Sequence, residues 1–361
     1  MICTPMKKRF RKKPRSRKPG KTEHSALPIG KLPPDLLERC LDQAAADDPS
    51  IIVGPQVGAD AEILAPTQTD MLVLTSDPIT FTDEEVGPHL LAVNINDVVT
   101  TGGFPRWLVL NLLLPLSTTE EQVVDVFQSI VGACRRYDIL LVGGHTEITD
   151  AVTRTVAVGT LVGLVRKDRR IDPSRSQPGD DILLIGPIAI EGTALLARER
   201  REEIIDAFGP EFQKSAAGLL DNPGICISDP ALLACGRYLA HALHDPTEGG
   251  LATALRELAA VTGCGVEVEV DQVEILPQTA TLCEHFSIDP LGLLASGSLL
   301  AVLPPEEAES LSRALRDQLS ISSSVIGRLT PNSDCVWRRG KGSLGPIPVF
   351  PRDEIARVLE A

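Results

Sequence analysis

Apolar residues along this chain recur at two spacings, and the switching between them separates short strands from amphipathic helices. In LPPDLLERCLDQA, from residue 32, prolines stand at a helix start and Leu36, Leu37, Cys40 and Leu41 form one helical face. MLVLTSD, residues 71 to 77, and RWLVLNLLLP, residues 106 to 115, read as buried strands, the second closed by Pro115. Ser117 and Glu120 stand in a capping-box pattern, in which each side chain would satisfy the other's free amide. Behind them Val123, Phe127, Ile130 and Cys134 mark the apolar stripe of a helix. ILLVGGHTEITD, residues 139 to 150, reads as a buried strand ended by a Gly-Gly turn. TRTVAVGTLVGLV, from Thr153 to Val165, reads as a further strand with Gly159 and Gly163 as bulges.

Residues 166–181, RKDRRIDPSRSQPGDD, are charged and marked by Pro and Gly, which predicts a domain boundary. Beyond it the same grammar resumes. ILLIG is a strand, EGTALLARERREEI is helical, and LATALRELAAVTG is a helix with Gly263 as its C-terminal cap. GVEVEVD alternates as a strand with one solvated face does, and SLLAVL, PEEAESLSRALRDQL and SVIGRL add strand, helix and strand. The expected fold class is α/β (α+β), with helices covering sheets in two domains, residues 29–168 and 169–345. Residues 1–28 are expected to be a basic disordered tail and residues 346–361 a C-terminal tail.

Charge sharpens the first of these expectations. From Lys7 to Lys21 there are ten Lys or Arg and no acid, so a net charge of −14 for 361 residues becomes −24 for residues 22 to 361. So basic and apolar-poor a segment does not fold alone, and it is the one part suited to nucleic acid, which the acidic remainder would repel. No apolar run approaches the roughly 20 residues that span a bilayer, so no membrane role is expected. Eight cysteines without a CxxC pair suggest neither zinc nor a disulfide framework, and reduced thiols in a cytoplasm fit them.

Several acids sit beside glycines or at the ends of apolar runs. They are Asp60 in VGADAEIL, Asp77 in LTSDPIT, Asp97 with Asn94 in NINDVVTTGG, Glu147 with His145 in GGHTEI, and Asp245 in HDPTEGGL. Carboxylates among apolar strands call for caps, turns or cations. Magnesium takes hard oxygen ligands, only a few of them from protein, and completes its shell with water and phosphate oxygens. Acids gathered from separate strand ends would therefore suit a nucleoside triphosphate. Gly143 and Gly144, and Gly249 and Gly250 at a helix start, would let backbone N–H groups face phosphate. No GxxxxGK[ST] is present, so this is not a P-loop chain. His241 and His244 could share a helical face, though a cap or a solvated pair is the more ordinary role.

These stretches, in this order, resemble the superfamily of aminoimidazole ribonucleotide (AIR) synthetase, selenophosphate synthetase, thiamine-monophosphate kinase and the HypE-type hydrogenase maturation factor. VGADAEIL, TSDPIT, NINDVVTTGG, GGHTEI, PGDDILLIG, HDPTEGGLATALRELA and DPLGLLASGSLLAVL carry the resemblance from about Gly30 to Thr330, with DPTEGG and DPLGLLASG looking like the maturation-factor branch. The resemblance implies an N-terminal domain that pairs across a homodimer into a β-barrel, a C-terminal α/β domain beside it, and ATP in the cleft. It implies magnesium at Asp60, Asp77, Asp97 and Asp245, and nucleotide contacts from Asp60, Asp77, Asn94, Gly143, Gly144, Thr146, Thr247, Gly249 and Gly250. His145, Glu147 and Asp97 are the expected catalytic residues; His145 stands where several relatives carry an acid. The implied activity is Mg-ATP-dependent phosphorylation, or dehydration through a phosphorylated intermediate, of a small-molecule or carried acceptor, with a maturation partner protein. In the maturation-factor branch the group is carried on a C-terminal cysteine; here the last cysteine is Cys335, so cyanide-ligand synthesis is not expected. A dimeric nucleotide-binding accessory factor without turnover is the alternative.

Overall fold

The structure, a computed structural model, describes residues 30–31, 34–44, 48, 51–53, 63–64, 70–80, 85–340, 342 and 344–359. The first half runs β1 (Gly30–Lys31), α1 (Pro34–Ala44), β2 (Ile51–Val53), β3 (Ile63–Leu64), β4 (Asp70–Ile79), α2 (Val86–Thr100), β5 (Phe104–Leu114), α3 (Glu120–Arg136), β6 (Leu140–Ile148) and β7 (Val156–Arg166). The second runs β8 (Asp181–Ile185), α4 (Ile190–Glu199), α5 (Arg201–Phe208), α6 (Pro210–Ala217), α7 (Ser228–Arg237), β9 (Ala242–His244), α8 (Gly250–Thr262) and β10 (Gly265–Glu269). It continues through α9 (Pro277–Phe286), β11 (Leu299–Leu303), α10 (Pro305–Ala314), β12 (Ser323–Thr330), β13 (Cys335–Arg338), β14 (Gly345–Pro346) and α11 (Glu354–Leu359).

Among the described residues the first half forms a five-stranded sheet, β1-β6-β5-β7-β4, and a β2–β3 pair; the second forms a seven-stranded sheet, β14-β13-β10-β12-β8-β11-β9. In the first sheet β5 and β6 are parallel because α3 carries the chain back between them, while β7 and β4 add antiparallel. The helical layer behind this sheet is shared. Leu90, Ile95 and Val98 of α2 pack in one core with Leu112 and Leu161 of the first sheet and with Leu183, Ala301 and Leu303 of the second. The alternate residues of β8 and β11, including Ile182, Leu184, Leu300 and Val302, fill a second core on the far side. Burial on both faces explains why these two strands read as unbroken apolar runs.

Several local expectations are corrected. The capping box of α3 is formed by Thr119 and Gln122, whose N–H-to-side-chain bonds are 2.9 and 3.3 Å, and not by Ser117 and Glu120; Glu120 pairs instead with Arg39 of α1. Gly143 and Gly144 end no strand. They lie inside β6, opposite Val109 and Leu110. Gly159 and Gly163 are in register with Asp77 and Val73 rather than bulged, and the register shifts fall beside Arg106 and Val142. Their missing Cβ atoms make room for Asn94, Leu90 and Val98 of α2. Residues 346–361, expected as a tail, contribute buried Ile347, Glu354 and Val358 to the second domain.

Gly144 shows what the Gly-Gly pair does mechanically. Its φ is +143° and a Cβ there would sit 1.8 Å from the Leu110 carbonyl oxygen, so β5 and β6 meet only because the side chain is absent. Gly132, on the exposed side of α3, would place a Cβ in open space. Gly144→Ala is therefore expected to cost about 3 kcal/mol or more, and Gly132→Ala to add about 0.5–1 kcal/mol, in urea unfolding. A tolerated alanine at 144 would refute the close-approach account.

Candidate active site

Three of the expected acids converge where β4, α2 and the end of β9 meet. Asp77 points from β4 toward the helical layer, as the alternation with exposed Leu74, Ser76 and Pro78 requires. Asp97, one turn from the end of α2, accepts a hydrogen bond from the Thr75 hydroxyl and shares a carboxyl hydrogen bond with Asp77. Burial, then the Asp77 partner, pushes the Asp97 carboxyl up to about 6. Asp245, directly after β9, is 9% exposed; burial and then the charges of Asp97 and Asp77 push it up to about 8. Such a cluster repels itself, and a dication would offset it.

Asn94, expected to touch nucleotide, is corrected. It is fully buried and spent on backbone: Oδ1 accepts the Asp77 N–H at 3.1 Å, while Nδ2 donates to the Leu90 carbonyl at 2.9 Å and the Asp77 carbonyl at 3.4 Å. β4 is an edge strand, so the outward-facing peptide groups of Asp77 need partners, and Asn94 supplies both. It positions Asp77 rather than binding a ligand.

His145 and Glu147 stand elsewhere. They occupy the opposite face of the first sheet, in line with Asn111 and Leu113 of β5, and pair with each other at 3.3 Å. Thr146 between them points the other way, into the core, and so does not share the face of His145 and Glu147. The open face around this pair includes Leu72 at 50%, Leu74 at 65% and Phe104 at 62% exposure. Gly143 is buried in the same strand.

The second glycine pair is also corrected. Gly249 and Gly250 do begin α8 with positive φ, but the Gly249 N–H donates to Asp353 Oδ2 at 2.7 Å and the Gly250 N–H to the Thr247 carbonyl at 3.0 Å. The anion at this helix start is the chain's own carboxylate, which also accepts from the Leu294 and Ile355 N–H groups. Close by is Glu191 in the first turn of α4, 3% exposed, which the sequence reading passed over. Burial pushes it up to about 7, against a hydrogen bond from Ser296 and with Glu248 and Asp353 adding to the rise. A single acid inside the apolar run IAIEGTALL was the available signal. The histidine pair dissolves: His241 bonds buried Asp180 at 2.8 Å and His244 of β9 bonds Glu257 at 2.9 Å.

Asp60 lies outside the described residues. Among the described ones no group of three or more His, Cys, Asp or Glu stands close enough together to hold a metal ion by itself. The donors at Asp77, Asp97 and Asp245 are nonetheless hard oxygens of the kind magnesium takes, a few at a time, alongside water and phosphate. Also among the described residues, no helix is long and apolar enough to cross a membrane.

A helix-backed open sheet joined to a second α/β domain, with acids gathered between them, defines a two-domain AIR-synthase-like fold. Residues 58–165 match the AIR synthase related protein N-terminal domain and residues 177–337 the C-terminal domain, and the chain belongs to that family. It is 30% identical over 244 residues to the carbamoyl dehydratase HypE of Cupriavidus necator, covering 66% of each chain. It is 27% identical over 260 residues, 71% of this chain and 73% of the other, to a putative hydrogenase expression/formation protein of Methanocaldococcus jannaschii. Among solved structures, a hydrogenase maturation protein HypE in complex with ATP superposes with a TM-score of 0.72 at 22% identity, over 87% of this chain and 93% of that one. A thiamine-monophosphate kinase from Stenotrophomonas maltophilia gives 0.68 at 22%, over 88% and 98%.

Both raised carboxyls hold their protons more tightly folded than unfolded. The stability they permit is complete at low pH and is lost as pH rises through about 6 for Asp97 and about 8 for Asp245. Asp245→Asn is expected to leave the ligand-free melting midpoint unchanged near about pH 3, below the ordinary carboxyl value, and to raise it progressively as pH increases, with the full effect reached near about pH 9. An equal shift at both values would sink the assignment.

Proposed function

We propose that this chain is a Mg-ATP-dependent enzyme that phosphorylates a small-molecule or carried acceptor, or dehydrates it through a phosphorylated intermediate. The observation that carries the reading is the convergence of Asp77, Asp97 and Asp245 from three separate elements, with the carboxyls of Asp97 and Asp245 pushed up by burial and by their acidic neighbours. Support comes from relatives named carbamoyl dehydratase and from structural neighbours bound to ATP or named as a kinase. When bound, magnesium would neutralise charge on the terminal phosphate. Asp97, oriented by Thr75, and Asp77, oriented by Asn94, would hold it, with Asp245 closing the site from the second domain. The acceptor oxygen would then bond to the γ-phosphorus as the bond to ADP breaks, and the fixed carboxylates supply alignment rather than covalent chemistry.

The same proposal includes a homodimer. Leu72, Leu74 and Phe104, with partly covered Val162 and Leu164, make an apolar sheet face of the kind that marks an interface. His145 and Glu147 lie on that face, so a second copy would enclose them. A maturation partner protein belongs to this reading too, supported by a neighbouring HypE–HypF complex structure. A cytoplasmic setting is part of the same proposal.

Isothermal titration with ATP in millimolar magnesium is expected to show saturable binding that Asp97→Asn abolishes; no heat, or identical heat from the variant, overturns the nucleotide reading. Binding without phosphate release across a panel of acceptors would favour the accessory-factor alternative. Leu74→Glu places a charge on the open face and is expected to yield monomer in sedimentation velocity, while an unaltered dimer would move the interface elsewhere.

A further inference from the structure

A cavity of about 370 Å³ opens where the start of α2 meets the chain leading into α7, two helical turns away from the acid cluster. Eight residues of α2 separate His89, in its wall, from Asp97, which is about 12 Å along the helix axis. A molecule held here is therefore remote from the acids described above, and the cavity is a separate feature.

Its walls are preformed. The segment Ile225–Ile227 is fastened to α2 by the buried Asn96, whose Nδ2 donates to the Ile225 carbonyl at 2.9 Å and whose Oδ1 accepts the Ile227 N–H at 3.0 Å. Between those two residues Cys226 faces the cavity and hydrogen-bonds Tyr137 at the end of α3. On the other side Arg198 of α4 bridges to Glu85 at 2.8 Å, tying the second domain to the entry of α2. A rigid cavity at the low end of the small-ligand range needs little reorganisation to accept a guest.

Charge decides which guest. Three carboxylates, Glu85, Asp221 and Asp229, line the space. Glu85 is matched by Arg198, and Arg136 lies over the Tyr137 ring at 5.7 Å. Burial lowers the His89 imidazole's affinity for a proton, so it adds no compensating cation. Three negative groups against two guanidinium groups leave one negative charge over, with Ala92, Pro223 and Ile225 supplying apolar wall. We propose that this cavity is a second ligand site for a small organic cation, a primary amine or guanidine on a short alkyl chain. Its charged head lies against Asp221 and Asp229 and its alkyl part against Ala92 and Ile225.

The test is calorimetric titration of the full chain with n-butylamine and with agmatine, and with n-butanol as the uncharged match. Saturable binding is expected for the two cations and none for the alcohol. Asp221→Asn and Asp229→Asn, both at exposed positions where folding is spared, are each expected to weaken it about three- to fivefold. Asp97→Asn should leave it unchanged, so failure here is distinguishable from failure of the nucleotide reading. Absence of saturable binding at millimolar probe, equal binding of n-butanol, or full binding by the Asp221→Asn/Asp229→Asn double variant with an unaltered melting midpoint would each overturn the proposal.

Discussion

Two asparagine side chains on α2 hold the molecule's geometry. This helix is buried on nearly every side, between the first sheet and the second domain, so each polar group it carries must find a partner inside the protein. Asn94 spends its amide on the edge of β4, and Asn96, two residues on and turned the other way, spends its amide on the chain before α7. The first fixes Asp77 relative to α2; the second fixes the second domain relative to α2. Asp97 follows directly, and its position with respect to both neighbours is inherited from the two amides. Removing either would leave buried backbone groups unpaired as well as moving an acid, so stability and site geometry cannot be separated here.

The acids themselves run against stability. Asp97 is held near 6 by burial and by Asp77, Asp245 near 8 by burial and by the charges of Asp97 and Asp77, and Glu191 near 7 by burial. A chain selected for stability alone would place neutral amides at such positions, as it does at Asn94 and Asn96. Carboxylates gathered without a cationic side chain would be tolerated where a bound cation returned the cost, and this favours the proposed metal site over packing as the reason for the cluster.

The elements were largely legible in the sequence because their signals are local: the period of α3, the alternation of β4 and β10, and the left-handed Gly263 that ends α8. Asp77, Asp97 and Asp245, singled out as acids among apolar residues, are the three that the fold brings together. What the sequence hid was partnership across the fold. Gly143-Gly144 looks like a turn facing a ligand, yet the Leu110 carbonyl occupies the space a Cβ would need. Gly249 looks like an anion site, yet the anion comes from Asp353, 104 residues later. Thr146 sits in a motif of expected site residues, yet strand alternation turns it inward. A close approach to ligand and a close approach to one's own backbone select the same residue, and only tertiary structure tells them apart.

The split of the GGHTEI motif from the Asp cluster follows from the same alternation. His145 and Glu147 share a face of β6, and that face is the one left open, whereas Asp77 is turned to the helical layer one strand pair away. Within a single chain the two groups are on opposite sides of a sheet and cannot act on one atom by simple convergence. They can meet only over the rim of the sheet or through a second chain laid on its open face, and the exposed Leu72, Leu74 and Phe104 favour the second route. In the proposed homodimer the apolar face would be part of the site: the contacts that bury it would also decide what His145 and Glu147 confront, so assembly and chemistry would depend on the same surface.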